Sequence, residues 1–259
     1  MISWGVRSRW NDAEAAGLDG LDLLVYASRL VGAESSLVVW GGGNTSIKTA
    51  ERDHRGREIA VLRVKGSGSD LKSVRRQDFP GVRMDDILAL LERQDMGDQE
   101  MVGYLAHGLI DVGGVRPSIE TLLHGFVSAH AVVHTHADAI VSLTNNDRRG
   151  EVFTSVYGKD VLTLPYVRPG FRISRQVADA IAEHPEAKAL VLECHGTITW
   201  GATVREAYEA TIELITRAEA AIAGKQRGRR VFGGPRVPVL PPGERRAAAL
   251  EVAPQVIVP

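Results

Sequence analysis

Cysteine is almost missing from this chain: Cys194 stands alone among 259 residues. One thiol excludes an intramolecular disulfide framework and a cysteine-rich zinc module, so any metal site has to rest on histidines and carboxylates. No apolar run approaches bilayer-spanning length, and the N-terminal stretch MISWGVRSRWND lacks the basic start and apolar core of a signal peptide. Both absences lead to the expectation of a cytoplasmic protein without a membrane partner. An excess of charge is lacking too: the net value is -1, which gives no global reason to expect nucleic acid. The charge is unevenly spread, however. From Lys225 onward seven Lys or Arg face two Asp or Glu, so this stretch carries +5 and residues 1–224 carry -6.

What is present is ordinary globular material, 44% hydrophobic and 24% charged, enough for one large domain or two small ones. Helical periodicity predicts helices over 18–32, 84–94, 117–130 and 138–146. The longest is TVREAYEATIELITRAEAAIAG, apolar on one side, charged on the other and stopped at Gly224. Short β-branched runs predict strands at 35–40, 59–64, 131–137, 161–167 and 189–196. Strands and helices mixed in this irregular order argue for an α/β layered domain. Beyond Gly224, four of the eleven prolines fall in a short span without periodicity. The expected division is therefore a catalytic domain over 1–224 and a Pro/Arg-rich linker or docked tail over 225–259.

Two histidines in AVVHTHADAI sit one residue apart in a predicted strand. Successive strand side chains alternate between faces, so His134 and His136 point the same way, a chelating geometry. The same spacing also suits two histidines that each bond a carbonyl or a water. His195, where the run ALVLEC gives way to Gly196, can supply the third protein ligand that an open zinc site needs; bonded to backbone, it is a turn residue. Glu120 follows the proposed cap Ser118 into the first turn of its helix, where the dipole favours a carboxylate. Beside a metal, the same group can shuttle protons. His124 shares that helix face and reads more naturally as a half-buried helix residue than as a ligand. The loops GGGNTSIK and KGSGSDL fail both nucleotide fingerprints, one lacking the trailing G-K-S/T and the other having Leu71 where a third glycine belongs. Their backbone N–H groups and short polar side chains suit a small phosphate cradle or an ordinary turn.

The segments GGGNTS, KGSGSDL, PSIETLLH, HTHADAI and ECHGTITWG, in this order and followed by a long helix, resemble the class II aldolase/adducin family. The resemblance extends from about Leu21 to about Glu219 and is closest to the aldolase part of bifunctional rhamnulose-phosphate aldolase/alcohol dehydrogenase proteins. It implies a three-layer domain, a central, mainly antiparallel sheet flanked by helices. It implies zinc held by His134, His136 and His195, with Glu120 as general acid/base. Phosphate contacts are implied at Asn44, Thr45 and Ser46, at Ser67 and Gly68, and at Ser118. The implied activity is cleavage of a ketose 1-phosphate, such as rhamnulose 1-phosphate, to dihydroxyacetone phosphate and an aldehyde. A small-molecule sugar phosphate is then the partner, and a homotetramer is the assembly, with Tyr157 as the candidate for a tyrosine reaching a neighbouring site. Epimerase, dehydratase or decarboxylase chemistry on the same metal, and a non-catalytic adducin-head-like module, are the alternatives.

The chain departs from the family pattern in places. Ile119 replaces a second serine before Glu120, and Lys65 stands where a neutral residue is usual. The bifunctional relatives continue into a dehydrogenase domain that nothing here resembles, so no NAD is expected.

Overall fold

Alternation along the strands decides the architecture, because each strand has something to bury on both sides. In this computed structural model, which describes residues 5–227 and 238–256, the strands are β1 (Asn44–Arg52), β2 (Glu58–Val64), β3 (Gly81–Arg83), β4 (Ala131–Thr135), β5 (Leu162–Leu164), β6 (Ala189–Leu192) and β7 (Gly196–Gly201). They form one sheet in the order β3-β2-β1-β4-β7-β6-β5. Every neighbouring pair is antiparallel except β5 with β6. The helices are α1 (Asp12–Ala15), α2 (Gly20–Gly32), α3 (Met84–Ala89), α4 (Asp98–His107), α5 (Thr121–Phe126), α6 (Asp138–Thr144), α7 (Arg149–Tyr157), α8 (Phe171–Glu183), α9 (Val204–Gln226) and α10 (Pro242–Val256).

Ile47, Ala131, Val133 and Val191 pack on one face against α2, α6, α7 and α9 through Leu24, Val31, Ile140, Phe153, Tyr208 and Ile215. Their strand neighbours take the other face. Leu62 and Val64 meet α3, α4 and α5 through Ile87, Met101 and Leu122, while Val132, Leu190 and Ile198 meet α8 through Ile173 and Val177. Period-two burial on both sides of a sheet requires helices on both sides, which gives the expected three layers.

Several expectations are corrected. SSLVVW at 35–40 is a turn instead of a strand: the N–H groups of Leu37 and Val38 donate back to Glu34 O, and the Glu34 carboxylate accepts from the backbone and hydroxyl of Ser36. Its apolar residues split accordingly, Leu37 and Val38 into the core and Val39 and Trp40 to the surface. NTS, read as loop, opens β1. The helix expected over 117–130 is confined to 121–126, because the chain must turn into β4, and Lys48 Nζ fixes that turn by donating to Ala129 O at 2.7 Å. Helices α4, α7 and α8 were not expected. The long helix runs through Gly224 to Gln226, since a glycine inside a helix costs only about 1 kcal/mol and does not by itself end it.

The chain divides into two compact units, 1–222 and 223–259. Within the second, the stretch expected to be aperiodic contains α10; residues 228–237, including FGGP and three of the seven Lys or Arg, lie outside the described residues. Among the described residues, no helix is long and apolar enough to cross a membrane.

Candidate metal centre

Three segments distant in sequence converge at one end of the sheet. Near the end of β4, His134 follows Val132 onto the face covered by α5, and His136 comes just after the strand. The turn from β6 to β7 bends sharply enough to put Cys194 at φ 57° and presents His195. That turn can close on β4 because Gly196 has no side chain: a Cβ there would lie 2.1 Å from Thr135 O. On the other flank Gly43, at φ +63°, lets the first glycine loop pass His134 O where a Cβ would lie at 2.8 Å. Glu120 arrives as the N-cap residue of α5.

The donor atoms face one another. His134 Nε2 is 2.9 Å from His136 Nε2 and 3.2 Å from Glu120 Oε1, and His195 Nε2 is 3.4 Å from the same carboxylate oxygen. Ligand atoms of all four residues lie within 4.8 Å of one another. His134 Nδ1 lies 2.8 Å from Thr197 O, which fixes the proton on Nδ1 and turns the Nε2 lone pair into the cluster. A four-coordinate ion with bonds of about 2.0–2.1 Å holds its donors roughly 3.3 Å apart, the scale of these separations. The donor set, three imidazoles and a carboxylate, therefore fits a divalent metal of the zinc type.

Burial and mutual charge shape the acid–base properties of the metal-free cluster. Burial favours a neutral Glu120, but the charge and hydrogen bond of His134, followed by His195, outweigh it and hold the carboxyl well below its ordinary range. His134 is raised, with Glu120 outweighing the effect of burial. His136 is pushed down to about 4, by burial first and by the charge of His134 second. Glu120 thus stays an anion facing a cation site.

Residues 22–222 match the model of the Class II Aldolase and Adducin N-terminal domain. This chain belongs to that family. The uncharacterized oxidoreductase YuxG of Bacillus subtilis (strain 168) is 44% identical over 252 residues, which is 97% of this chain and 37% of that protein. This class II aldolase family member thus spans little more than a third of its relative's length. The N-terminal class II aldolase domain of a conserved protein from Thermoplasma acidophilum superposes with a TM-score of 0.78 at 42% identity, covering 84% of this chain and all of that one. A methylthioribulose-1-phosphate dehydratase from Methylococcus capsulatus is 29% identical over 128 residues, 40% of this chain and 63% of that protein.

Around the candidate metal centre of this class II aldolase domain, the other expected site residues are placed unequally. Ser118 is at the site, but it precedes the helix cap instead of being it: its hydroxyl oxygen accepts from the backbone N–H of Glu120, the N-cap residue, at 3.2 Å. Asn44 is there too, but its amide nitrogen is committed to Glu120 Oε2 at 2.7 Å and Ser118 Oγ at 3.2 Å. Thr45 is not brought there. Strand alternation sends it to the opposite face, fully buried, with Oγ1 2.6 Å from Ser28 Oγ. Ser46 shares the face of Asn44 but is fully buried, its hydroxyl bonded to His124 Nδ1 at 2.7 Å. Both depart from the phosphate contact expected of them. Ser67 and Gly68 lie exposed in a turn whose Ser67 N–H donates to Arg116 O, beside the segment leading to Ser118.

Tyr157 is also corrected. It is 1% exposed on α7, donates its hydroxyl to Leu214 O at 2.6 Å, and stacks near Phe153 in the apolar core. A phenol so enclosed in its own chain is a packing residue, and the polar look of TSVYGKD concealed a helix end.

Two residues matter more than the sequence suggested. Lys65 is buried, and its ammonium donates to Ser69 O at 2.7 Å and reaches Gly41 O at 3.5 Å, tying the two glycine loops together. Burial lowers its pKa, and attraction to Glu120 partly restores it. His124 is wholly buried rather than half-buried, and is no ligand.

Proposed function

We propose that this domain is a zinc-dependent aldolase that cleaves a ketose 1-phosphate, rhamnulose 1-phosphate being the first to try, to dihydroxyacetone phosphate and an aldehyde. The observation that carries the reading is the Glu120 carboxylate, anionic and within 3.2 and 3.4 Å of two convergent imidazoles that with His136 fit a divalent cation. A divalent metal, when bound by His134, His136 and His195, supplies Lewis acidity toward a substrate carbonyl. Glu120, held by Asn44 on one oxygen, moves a proton to and from C3 with the other. Ser118 fixes the backbone that carries it. The exposed turn at Ser67 and Gly68, with the Lys65 ammonium behind it, supports an anionic end of the substrate; this replaces Thr45 and Ser46 in that role. Because the ligand set is intact, a non-catalytic module is disfavoured. Function as a cytoplasmic homo-oligomer belongs to the same reading.

The partial likeness to a methylthioribulose-1-phosphate dehydratase favours one second reading, removal of water from a ketose 1-phosphate on the same centre. A single experiment separates them. Metal-loaded protein is incubated in deuterium oxide with dihydroxyacetone phosphate and, separately, with rhamnulose 1-phosphate and methylthioribulose 1-phosphate. An aldolase washes deuterium into C3 of the triose phosphate without any aldehyde present and releases an aldehyde from the first ketose. Water loss from the second ketose, with no exchange into the triose, overturns the aldolase reading.

A further inference from the structure

We propose that His124 and Ser46 are positioning residues that act on Glu120 through Asn44, setting which end of the Asn44 amide meets the carboxylate. The proposal rests on the reading of Glu120 as the acid/base. The arrangement itself follows from the two elements involved. Strand alternation puts Asn44 and Ser46 on the same face of β1, and one helical turn puts His124 on the same side of α5 as Glu120. The His124 ring, fully buried, bridges them: Nδ1 lies 2.7 Å from Ser46 Oγ, and Nε2 contacts Asn44 Oδ1. Asn44 Nδ2 spends its two hydrogens on Glu120 Oε2 at 2.7 Å and Ser118 Oγ at 3.2 Å.

Only one direction of donation satisfies all of these contacts. An ionised carboxylate accepts and does not donate, so the amide nitrogen of Asn44 must face Glu120. Its oxygen then faces the ring and requires a proton on Nε2. Nδ1 is left bare and accepts from the Ser46 hydroxyl. Donation therefore runs from Ser46 to His124 to Asn44 to Glu120. With the proton on Nδ1 instead, the amide turns over and sets its oxygen against the carboxylate, two buried acceptors in contact, which is costly in a low-dielectric interior. Burial, reinforced by the charge of His134, pushes the His124 pKa down to about 3, so the ring keeps its single proton across the physiological range. A buried histidine that merely joins helix to sheet needs no particular tautomer.

The first test reads that proton directly. Long-range proton–nitrogen spectra of protein labelled with ¹⁵N-histidine should show His124 at neutral pH with Nε2 protonated and Nδ1 bare. An Nδ1–H tautomer or an imidazolium overturns the proposal, whatever reaction the domain catalyses. The second test uses C3 exchange of dihydroxyacetone phosphate by metal-loaded protein. His124→Leu fills the space without a donor and should lower kcat roughly 10- to 100-fold, with KM and metal content held. His124→Gln, which can place an amide N–H near the position of Nε2, should recover most of the loss. Ser46→Ala should lower kcat a few-fold (on the order of one lost hydrogen bond) and leave KM alone. His124→Leu at the wild-type rate, His124→Gln no better than His124→Leu, or a rise in KM alone for Ser46→Ala each overturns it. Absence of exchange in the wild type removes the aldolase reading, and the tautomer still decides the positioning of Asn44.

Discussion

Strand β1 opens with two faces that look alike on paper and behave differently. Asn44 and Ser46 on one face, and Thr45 on the other, are all small, polar and almost wholly buried. Thr45 closes a local pair with Ser28 of α2 inside the larger apolar core, and nothing beyond that helix depends on it. Ser46 instead enters a chain of hydrogen bonds that runs through His124 and Asn44 to Glu120, and from there to His134 and His195. Burial and polarity are the same on both faces. What differs is whether the buried group ends at a neutral partner or at an ionised one, and charge carries consequences over several residues in a low-dielectric interior.

The largest test of that difference is His134→Ala. It should reduce bound metal from about one ion per chain to nearly none and abolish activity while the helical circular dichroism persists, because catalytic zinc is seldom the main folding element. Retained metal would detach the site from the polar face. Next, Glu120→Gln should keep the metal and slow C3 exchange by on the order of 10²–10⁴. A variant exchanging at the wild-type rate removes Glu120 from the chemistry.

Gly196→Ala probes what brings the two halves of the ligand set together. Its Cβ would meet Thr135 O at 2.1 Å, so the β6–β7 turn must back away. A loss of about 1–3 kcal/mol in urea unfolding is expected, together with weaker metal binding by titration. Unchanged affinity would show that His195 is dispensable.

The polar face should also make the metal-free protein acid-sensitive. His124 stays neutral in the folded state down to about 3, whereas an unfolded histidine protonates below about 6.5. Between those values the unfolded state binds more protons, so stability falls as pH falls, by up to about 1.4 kcal/mol per pH unit and about 2 kcal/mol at pH 5. His136, pushed down to about 4, adds in the same direction, while His134, raised by Glu120, opposes them only above the unfolded histidine value and adds nothing to the slope below it. Urea midpoints from pH 7 to 5 should fall, and His124→Gln should remove about one proton's worth of the slope. An equal slope in that variant would place the sensitivity elsewhere. The smallest effect belongs to the opposite face: Thr45→Ala should cost about 1 kcal/mol by thermal unfolding and leave metal content and kcat unchanged. A loss of catalysis would erase the distinction between the two faces.

Much of this was legible beforehand, unevenly. The three histidines and Glu120 could be named because chelating residue types are few and stand at strand and helix ends, where periodicity changes. The ends β4, β6 and α9 were readable from their apolar patterns for the same reason. The strand expected at 35–40 failed because an apolar, β-branched composition also suits a turn whose N–H groups find a nearby acceptor, here the backbone carbonyl of Glu34 for Leu37 and Val38 and its carboxylate for Ser36. Tyr157 failed because the polarity of its neighbours says nothing about where its own ring is buried. Thr45 failed as a phosphate contact because a motif gives composition, while facing is set by the strand it belongs to, and Ser46, on the right face, failed because His124 covers and occupies its hydroxyl.

By itself, the sequence determined the α/β class and named the histidines and the carboxylate of the candidate metal site, since periodicity, side-chain chemistry and motif order are all readable along the chain. Only the tertiary structure decided which of the buried polar residues face that carboxylate. Asn44, Ser46 and His124 are separated by up to 80 residues, and the pairing of β1 with β4 beneath α5 makes them neighbours. A hydrogen-bond direction exists only once donor and acceptor have been brought within reach.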